Sequence, residues 1–178
     1  MLTETLDKVN LLFQEGKYVE VIALMTEELC CVKNPSDEFS VRLLRLRAFL
    51  KMGDEKNGCD DASWLLEHID VASTALKSFS SIEESILKQE IYRLLARNAF
   101  MEKKYDDAIT YYNKVLEVNP HFAIAYRERG TVYYAKGEKE LAERDMLAYF
   151  QENPQAAEEL TGSFNAEGRE GGCHTHQS

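Results

Sequence analysis

The sequence predicts an all-α protein built as a solenoid of stacked helix pairs, and three observations lead there. First, the chain holds only three prolines in 178 residues, Pro35, Pro120 and Pro154, and each falls where an apolar helical pattern stops. Proline loses a backbone hydrogen bond and clashes with the preceding turn inside a helix, so the long stretches between them are free to be helical. Second, those stretches lack the strict apolar–polar alternation of half-buried strands. Third, matched residues recur 34 apart: Pro120 with Pro154, Tyr92 with Tyr126, Ala96 with Gly130, and Ala108 with Ala142. A fixed period in this range means units that bury their apolar faces only against their neighbours.

The segment Lys104-Tyr-Asp-Asp-Ala-Ile-Thr-Tyr-Tyr-Asn-Lys-Val-Leu-Glu-Val-Asn-Pro120 resembles the second helix and closing turn of a tetratricopeptide repeat (TPR). The resemblance implies a right-handed α-α superhelix of about four helix-turn-helix repeats in residues 1–161. In each repeat small residues let helices A and B approach closely while aromatic neighbours fill the gaps.

Taken in chain order, the first repeat covers 2–35, with Gly16, Tyr18 and Met25 in register and Pro35 two places late as its closing proline. The second covers 39–72, with Leu46, Phe49, Gly53, Ala62 and Leu65 in place; Gly58 stands for the small alanine and Asp70 for the proline. The third, 89–122, carries Tyr92, Leu95, Ala96, Ala108, Tyr112 and Pro120. The fourth, 123–156, carries Tyr126, Gly130, Tyr133, Gly137, Ala142 and Pro154. Glycine between the helices of a pair supplies the positive φ that ends helix A. Three residues depart from the family pattern: Arg129 replaces a leucine, Ala99 an aromatic and Tyr149 a small residue. Tyr149 suits a terminal unit, and Gln155 to Leu160 is expected to form a short capping helix.

Sixteen extra residues, Ser73 to Lys88, separate the second and third repeats. Shared between the flanking helices they add about two turns, ~12 Å, to each. Leu76, Phe79, Ile82, Ile86 and Leu87 give the stretch apolar positions, and Ser81 with Glu84 fits a capping box that starts a helix. The expectation is a prolonged helical hairpin with its tip near Ser78 to Ser81; the alternative is a longer loop holding a small helix.

The resemblance also implies where a ligand sits, because the A helices of this family line the concave groove. The register places Leu6, Leu43, Arg93 and Arg127 in one column, Asn10, Arg47, Arg97 and Thr131 in the next, and Phe13, Leu50, Phe100 and Tyr134 in a third. Asn10, Arg47, Arg93, Arg97, Phe100, Arg127 and Tyr134 are therefore the candidate peptide-binding residues. Planar guanidinium groups bind carboxylates in a bidentate manner, so an acidic or C-terminal carboxylate peptide fits them. The alternative is that the arginines pair internally with helix A acids such as Glu90 or Glu128 and contribute little. A two-carboxylate clamp for chaperone tails is not expected, since only Asn10 matches it, while Leu6, Leu44, Glu90 and Leu94 replace its other positions.

The remaining signals are weaker. The tail from Gly162 to Ser178 is glycine-rich and reads as flexible; its Cys173, His174 and His176 are candidate soft-metal ligands, but offer three donors at most with nothing to preorganise them. The adjacent Cys30 and Cys31, with Cys59, read as reduced packing cysteines, not a disulfide framework. Asp60 with Asp61, and Asp106 with Asp107, read as solvated helix faces. Trp64 reads as core or rim packing, and His121 as a surface residue. No phosphate-cradling loop, nucleophile elbow or His-Glu-x-x-His motif is present, so no catalysis and no cofactor is expected. The net charge of −10 repels nucleic-acid phosphate. No apolar run reaches the ~20 residues that span a bilayer, and the first fifteen residues lack a signal-peptide pattern, so the expected location is cytoplasmic. The expected function is a protein–protein interaction scaffold or adaptor holding a peptide in the groove. The alternatives are a metal-handling or redox accessory protein working through its tail, and a self-assembling structural unit.

Overall fold

The computed structural model describes residues 2–68 and 81–159, and every regular element among them is an α-helix. The chain divides into two compact units, Met1–Val118 and Asn119–Ser178. The first contains α1 (Leu2–Gln14), α2 (Tyr18–Cys31), α3 (Pro35–Met52), α4 (Glu55–Glu67), α5 (Ser81–Met101) and α6 (Tyr105–Val118). The second contains α7 (Ala123–Lys136) and α8 (Lys139–Glu152). Residues 154–159 add a short helix after α8, as expected for a cap. No described helix is long and apolar enough to cross a membrane.

The helix pairs α1–α2, α3–α4, α5–α6 and α7–α8 all reverse direction by the same device. One or two residues past the end of helix A the backbone turns left-handed, at Gly16 (φ 71°), Gly53 (φ 72°), Lys103 (φ 60°) and Gly137 (φ 95°). The N–H of that residue returns to the carbonyl three residues back, and the next N–H reaches five back, as in Gly53 to Leu50 and Asp54 to Phe49. The same two bonds close the other three turns. They satisfy carbonyls that the helix end would otherwise leave bare. Glycine takes this conformation without penalty; Lys103 takes it against a Cβ clash.

Pro35 has a different role from the one its spacing suggests. It begins α3, with Asn34 as N-cap accepting the Asp37 N–H at 2.8 Å. The ring's fixed φ and missing N–H suit the first turn of a helix, so α3 starts four residues ahead of position 39.

The insertion lengthens one arm. α5 begins at Ser81 and runs 21 residues, which puts about two extra turns ahead of position 89. α4 is not prolonged: it closes at Glu67, where His68 leaves helical geometry (φ −111°, ψ 20°) and its N–H bonds back to the Trp64 carbonyl. The His68 ring stacks on Trp64 with centroids 3.9 Å apart, holding the chain at that turn. The rest of the expected hairpin, including its tip before Ser81, lies outside the described residues, as do the tail and its Cys173, His174 and His176.

Among the described residues, apolar clusters join successive helices of the first unit. Val9, Leu12, Val21, Met25, Val41 and Ala48 join α1, α2 and α3. Phe39, Leu46, Ala62, Leu65, Ile91, Leu94 and Leu95 join α3, α4 and α5. Each fully buried large side chain contributes about 1.5–3 kcal/mol. Close approach is arranged differently from pair to pair. In α3–α4 the small residue is Gly58, and a Cβ there would stand 3.0 Å from Leu46 Cδ1. In α7–α8 the small residue is on the other helix: a Cβ on Gly130 would meet Asp145 Cβ at 3.3 Å and the Ala142 carbonyl at 3.4 Å.

Candidate functional site

Each candidate groove residue lies on an A helix, but their surroundings differ. In the first unit Asn10 and Arg47 are exposed. The Arg47 guanidinium stands 5.7 Å from the Phe13 ring centroid. Arg93 is half-buried and is not a free cation. Arg97 pairs with Glu55 at the start of α4, Nη1 to Oε1 3.0 Å. Internal pairing therefore does occupy this arginine, though through the neighbouring B helix instead of the helix A acids. Phe100 tilts against Tyr105, ring centroids 6.1 Å apart. In the second unit Arg127 lies 5.6 Å from the Tyr149 ring, and Tyr134 is 70% exposed.

Between α3 and α5 the first unit opens a pocket of about 220 Å³. Leu43, Leu46 and Leu50 line it from α3, and Ile86, Leu87, Ile91 and Leu94 from α5; Arg47 and Glu90 complete the lining. Spacing of three and four residues puts Leu43, Leu46 and Leu50, and likewise Leu87, Ile91 and Leu94, on one face of their helices. Leu43, Arg47 and Leu50 are members of the three groove columns. Ile86 and Leu87 come from the insertion, and nothing in the 34-residue register marks them as groove residues. Ile86 is 55% exposed, a large apolar side chain on offer at the surface. Among the described residues no carboxylate bonds to Arg47 and no cation to Glu90, and both are exposed.

A second feature escapes the register-based reading altogether. Asp61, expected on a solvated face, is 0% exposed. It accepts from Arg45 Nε and Nη2, both at 2.7 Å, and from Arg42 Nη1 at 3.0 Å. In the second unit Asp145, 3% exposed, accepts from Arg129 Nε at 2.7 Å and Nη2 at 2.6 Å. Arg45 and Arg129 occupy the same place in their helix pairs, and so do Asp61 and Asp145, sixteen residues on. The Asp61 hydrogen bonds raise the Arg45 pKa above the ordinary guanidinium value. Burial works to lower that of Arg129, but the bonds and charge of Asp145 with the adjacent tyrosines raise it further than burial lowers it. The recurrence of Arg-x15-Asp was the available signal, with Arg129 standing where the resemblance asks for leucine. These carboxylates close helix pairs: both oxygens of each accept from an arginine, and both side chains are buried away from a ligand.

The other polar groups also have local roles. Arg42 stacks 4.7 Å from the Trp64 ring centroid and pairs with Glu38. His121 is exposed and pairs with Glu152, Nδ1 to Oε2 3.0 Å. Cys30 and Cys31 are exposed at the end of α2 instead of packed; Cys59 is half-buried, and burial pushes its thiol up to about 11. Among the described residues no three His, Cys, Asp or Glu side chains gather as a metal ion would require.

A TPR repeat profile matches residues 98–137, the end of α5 through α7. No curated protein matches the chain. Among solved structures it is similar to a MamA protein (16% identity over 88% of this chain and 94% of that one, TM-score 0.49). A second MamA structure, MSR-1 C2, gives 16% identity over 87% and 98%, with a TM-score of 0.45. A third gives 15% identity over 84% and 96%, with a TM-score of 0.47.

Proposed function

We propose that this chain, a tetratricopeptide repeat protein, is a protein–protein interaction scaffold that holds a peptide segment of its partner against the A-helix face of its first unit. The observation that carries the reading is the apolar pocket between α3 and α5, lined by leucines and isoleucines and bordered by Arg47 and Glu90. Contiguous apolar surface bordered by charge is what a recognition patch offers, with the apolar part supplying affinity and the charges orientation. Arg97, held by Glu55 in a partly exposed pair, can exchange that partner for a ligand carboxylate at small cost. Arg93, Asn10 and Phe100 extend the same helix faces, and Arg127 and Tyr134 provide a further surface on the second unit.

Site-specific photo-crosslinking in the native cell tests the proposal. A crosslinking residue at Leu50, on the pocket side, should capture discrete partner bands. One at Glu27, exposed on the B helix α2, should not. Equal capture from both positions, or none from Leu50, would overturn it.

A further inference from the structure

Two of the nine residues that line the pocket, Ile86 and Leu87, are ones that the repeat itself does not contain. A repeat beginning at position 89 supplies Glu90, Ile91 and Leu94; Ile86 and Leu87 come from the added turns at the head of α5. Those turns extend the α5 wall of the pocket beyond the residues that the repeat supplies.

Three properties of this cavity specify an occupant. Its volume of about 220 Å³, below the ~300 Å³ at which sites for drug-sized ligands begin, suits one large side chain. Its lining is aliphatic, so that side chain is apolar. Its two charges come from opposite walls, Arg47 from α3 and Glu90 from α5, and neither is neutralised by another described residue. A purely acidic ligand meets Glu90 and a chain of net charge −10; a purely basic one meets Arg47. Building on the groove reading above, we propose that the added turns of α5 set partner specificity. The segment they select has one leucine-, isoleucine- or methionine-sized anchor, an acidic residue on its Arg47 side and a basic residue on its Glu90 side. The like-charge contacts in the reversed orientation reject it, so the same two residues fix the direction of the bound segment.

The test is selection of displayed random dodecapeptides on the purified full-length chain, followed by fluorescence anisotropy with synthetic copies of the selected peptides. The expected consensus is an apolar anchor with opposite charges on its two sides. Ile86→Asp should weaken binding at least tenfold while leaving the far-UV dichroism unchanged, since Ile86 is largely exposed; Ile86→Ala serves as the milder control. Arg47→Glu should weaken the selected peptide, and replacing that peptide's acid by lysine should restore binding. Binding indifferent to Ile86→Asp but lost in Leu50→Asp would overturn the role of the added turns and leave the groove intact. A consensus without flanking charges would overturn the charge assignment, as would failure of the lysine rescue. Concentration-dependent self-association lost in Ile86→Asp would assign the pocket to a second copy and overturn a partner peptide. If no peptide is selected, the specificity proposal fails, and crosslinking from Leu50 decides separately whether the groove reading fails with it.

Discussion

Replacing Asp61 with alanine deletes the acceptor of three charged hydrogen bonds and leaves two guanidinium groups of α3 side by side against α4 without that carboxylate. Removing one partner of a buried ion pair costs about 3–5 kcal/mol, because the survivor stays desolvated without its counter-charge. Two details pull the value toward the lower end. The Arg42 and Arg45 side chains retain 18% and 15% exposure, enough for their heads to recover some hydration. Arg42 also keeps Glu38 at 2.9 Å, whereas Arg45 keeps only the Thr26 hydroxyl at 3.1 Å. The expected loss is about 3 kcal/mol, a large share of the ~5–15 kcal/mol that stabilises a typical domain. With a urea slope near ~2 kcal/mol/M, the midpoint falls by about 1.5 M. Trp64 is the sole tryptophan and lies beside Arg42, so its fluorescence reports unfolding of the first unit. The double variant Arg45→Met, Asp61→Leu should stay within about 1 kcal/mol of the parent, because an apolar pair of similar volume removes the Arg45 and Asp61 charges together, while Arg42 keeps Glu38. A midpoint shift below about 0.5 M in Asp61→Ala would refute the reasoning, as would a double variant as unstable as the single one.

Two further outcomes follow from the turn geometry and the buried thiol. Lys103→Gly should stabilise the chain by about 1 kcal/mol in urea unfolding, since it relieves a left-handed residue bearing a Cβ, and Gly137→Ala should destabilise it by a similar amount. Cys59 is held protonated by burial, with the carboxylates of Asp60, Glu102 and Glu55 adding to the effect, so its thiol ionises near pH 11 in place of about 9. Between those values the unfolded chain has released this proton and the folded chain has kept it, so stability falls as pH rises from about 9 to 11. Alkylation of the folded protein followed by peptide mass spectrometry should accordingly find Cys59 unmodified at pH 8 and reactive above pH 10.

The fold was legible in the sequence because its determinants are local. The apolar spacing, the glycines at 16, 53 and 137 and the prolines each act within a few residues, and the helices form where those signals place them. Lys103 hid the third turn, since a lysine in a left-handed turn leaves no sequence mark. Pro35 was misassigned because a proline that closes one helix pair and one that opens the next occupy neighbouring positions, and an asparagine precedes each of the three prolines, so the sequence does not distinguish them. The buried pairs were missed for a different reason. Asp60 and Asp61 are chemically identical neighbours on α4, and one hundred degrees of helix rotation sends one to solvent and the other to two arginines. The pocket needed the third dimension, because the register does not tell that the part of α5 ahead of position 89, with Ile86 and Leu87, lines one cavity with Leu43 and Leu50 of α3.

The paired Arg45–Asp61 and Arg129–Asp145 contacts have a consequence for how such a chain can be rearranged. Both charges of each pair belong to one helix hairpin. Hairpins can therefore be duplicated, lost or exchanged whole without stranding either of these buried carboxylates, though the partly exposed Arg97–Glu55 pair between the second and third would be broken. A crossover inside a hairpin, joining the A helix of the second pair to the B helix of the third, would set Arg45 against Tyr111 and bury a cation beside a ring with no carboxylate. The joints at which this protein tolerates recombination are thus between its helix pairs, and the chemistry that closes each hairpin also guards it against being cut.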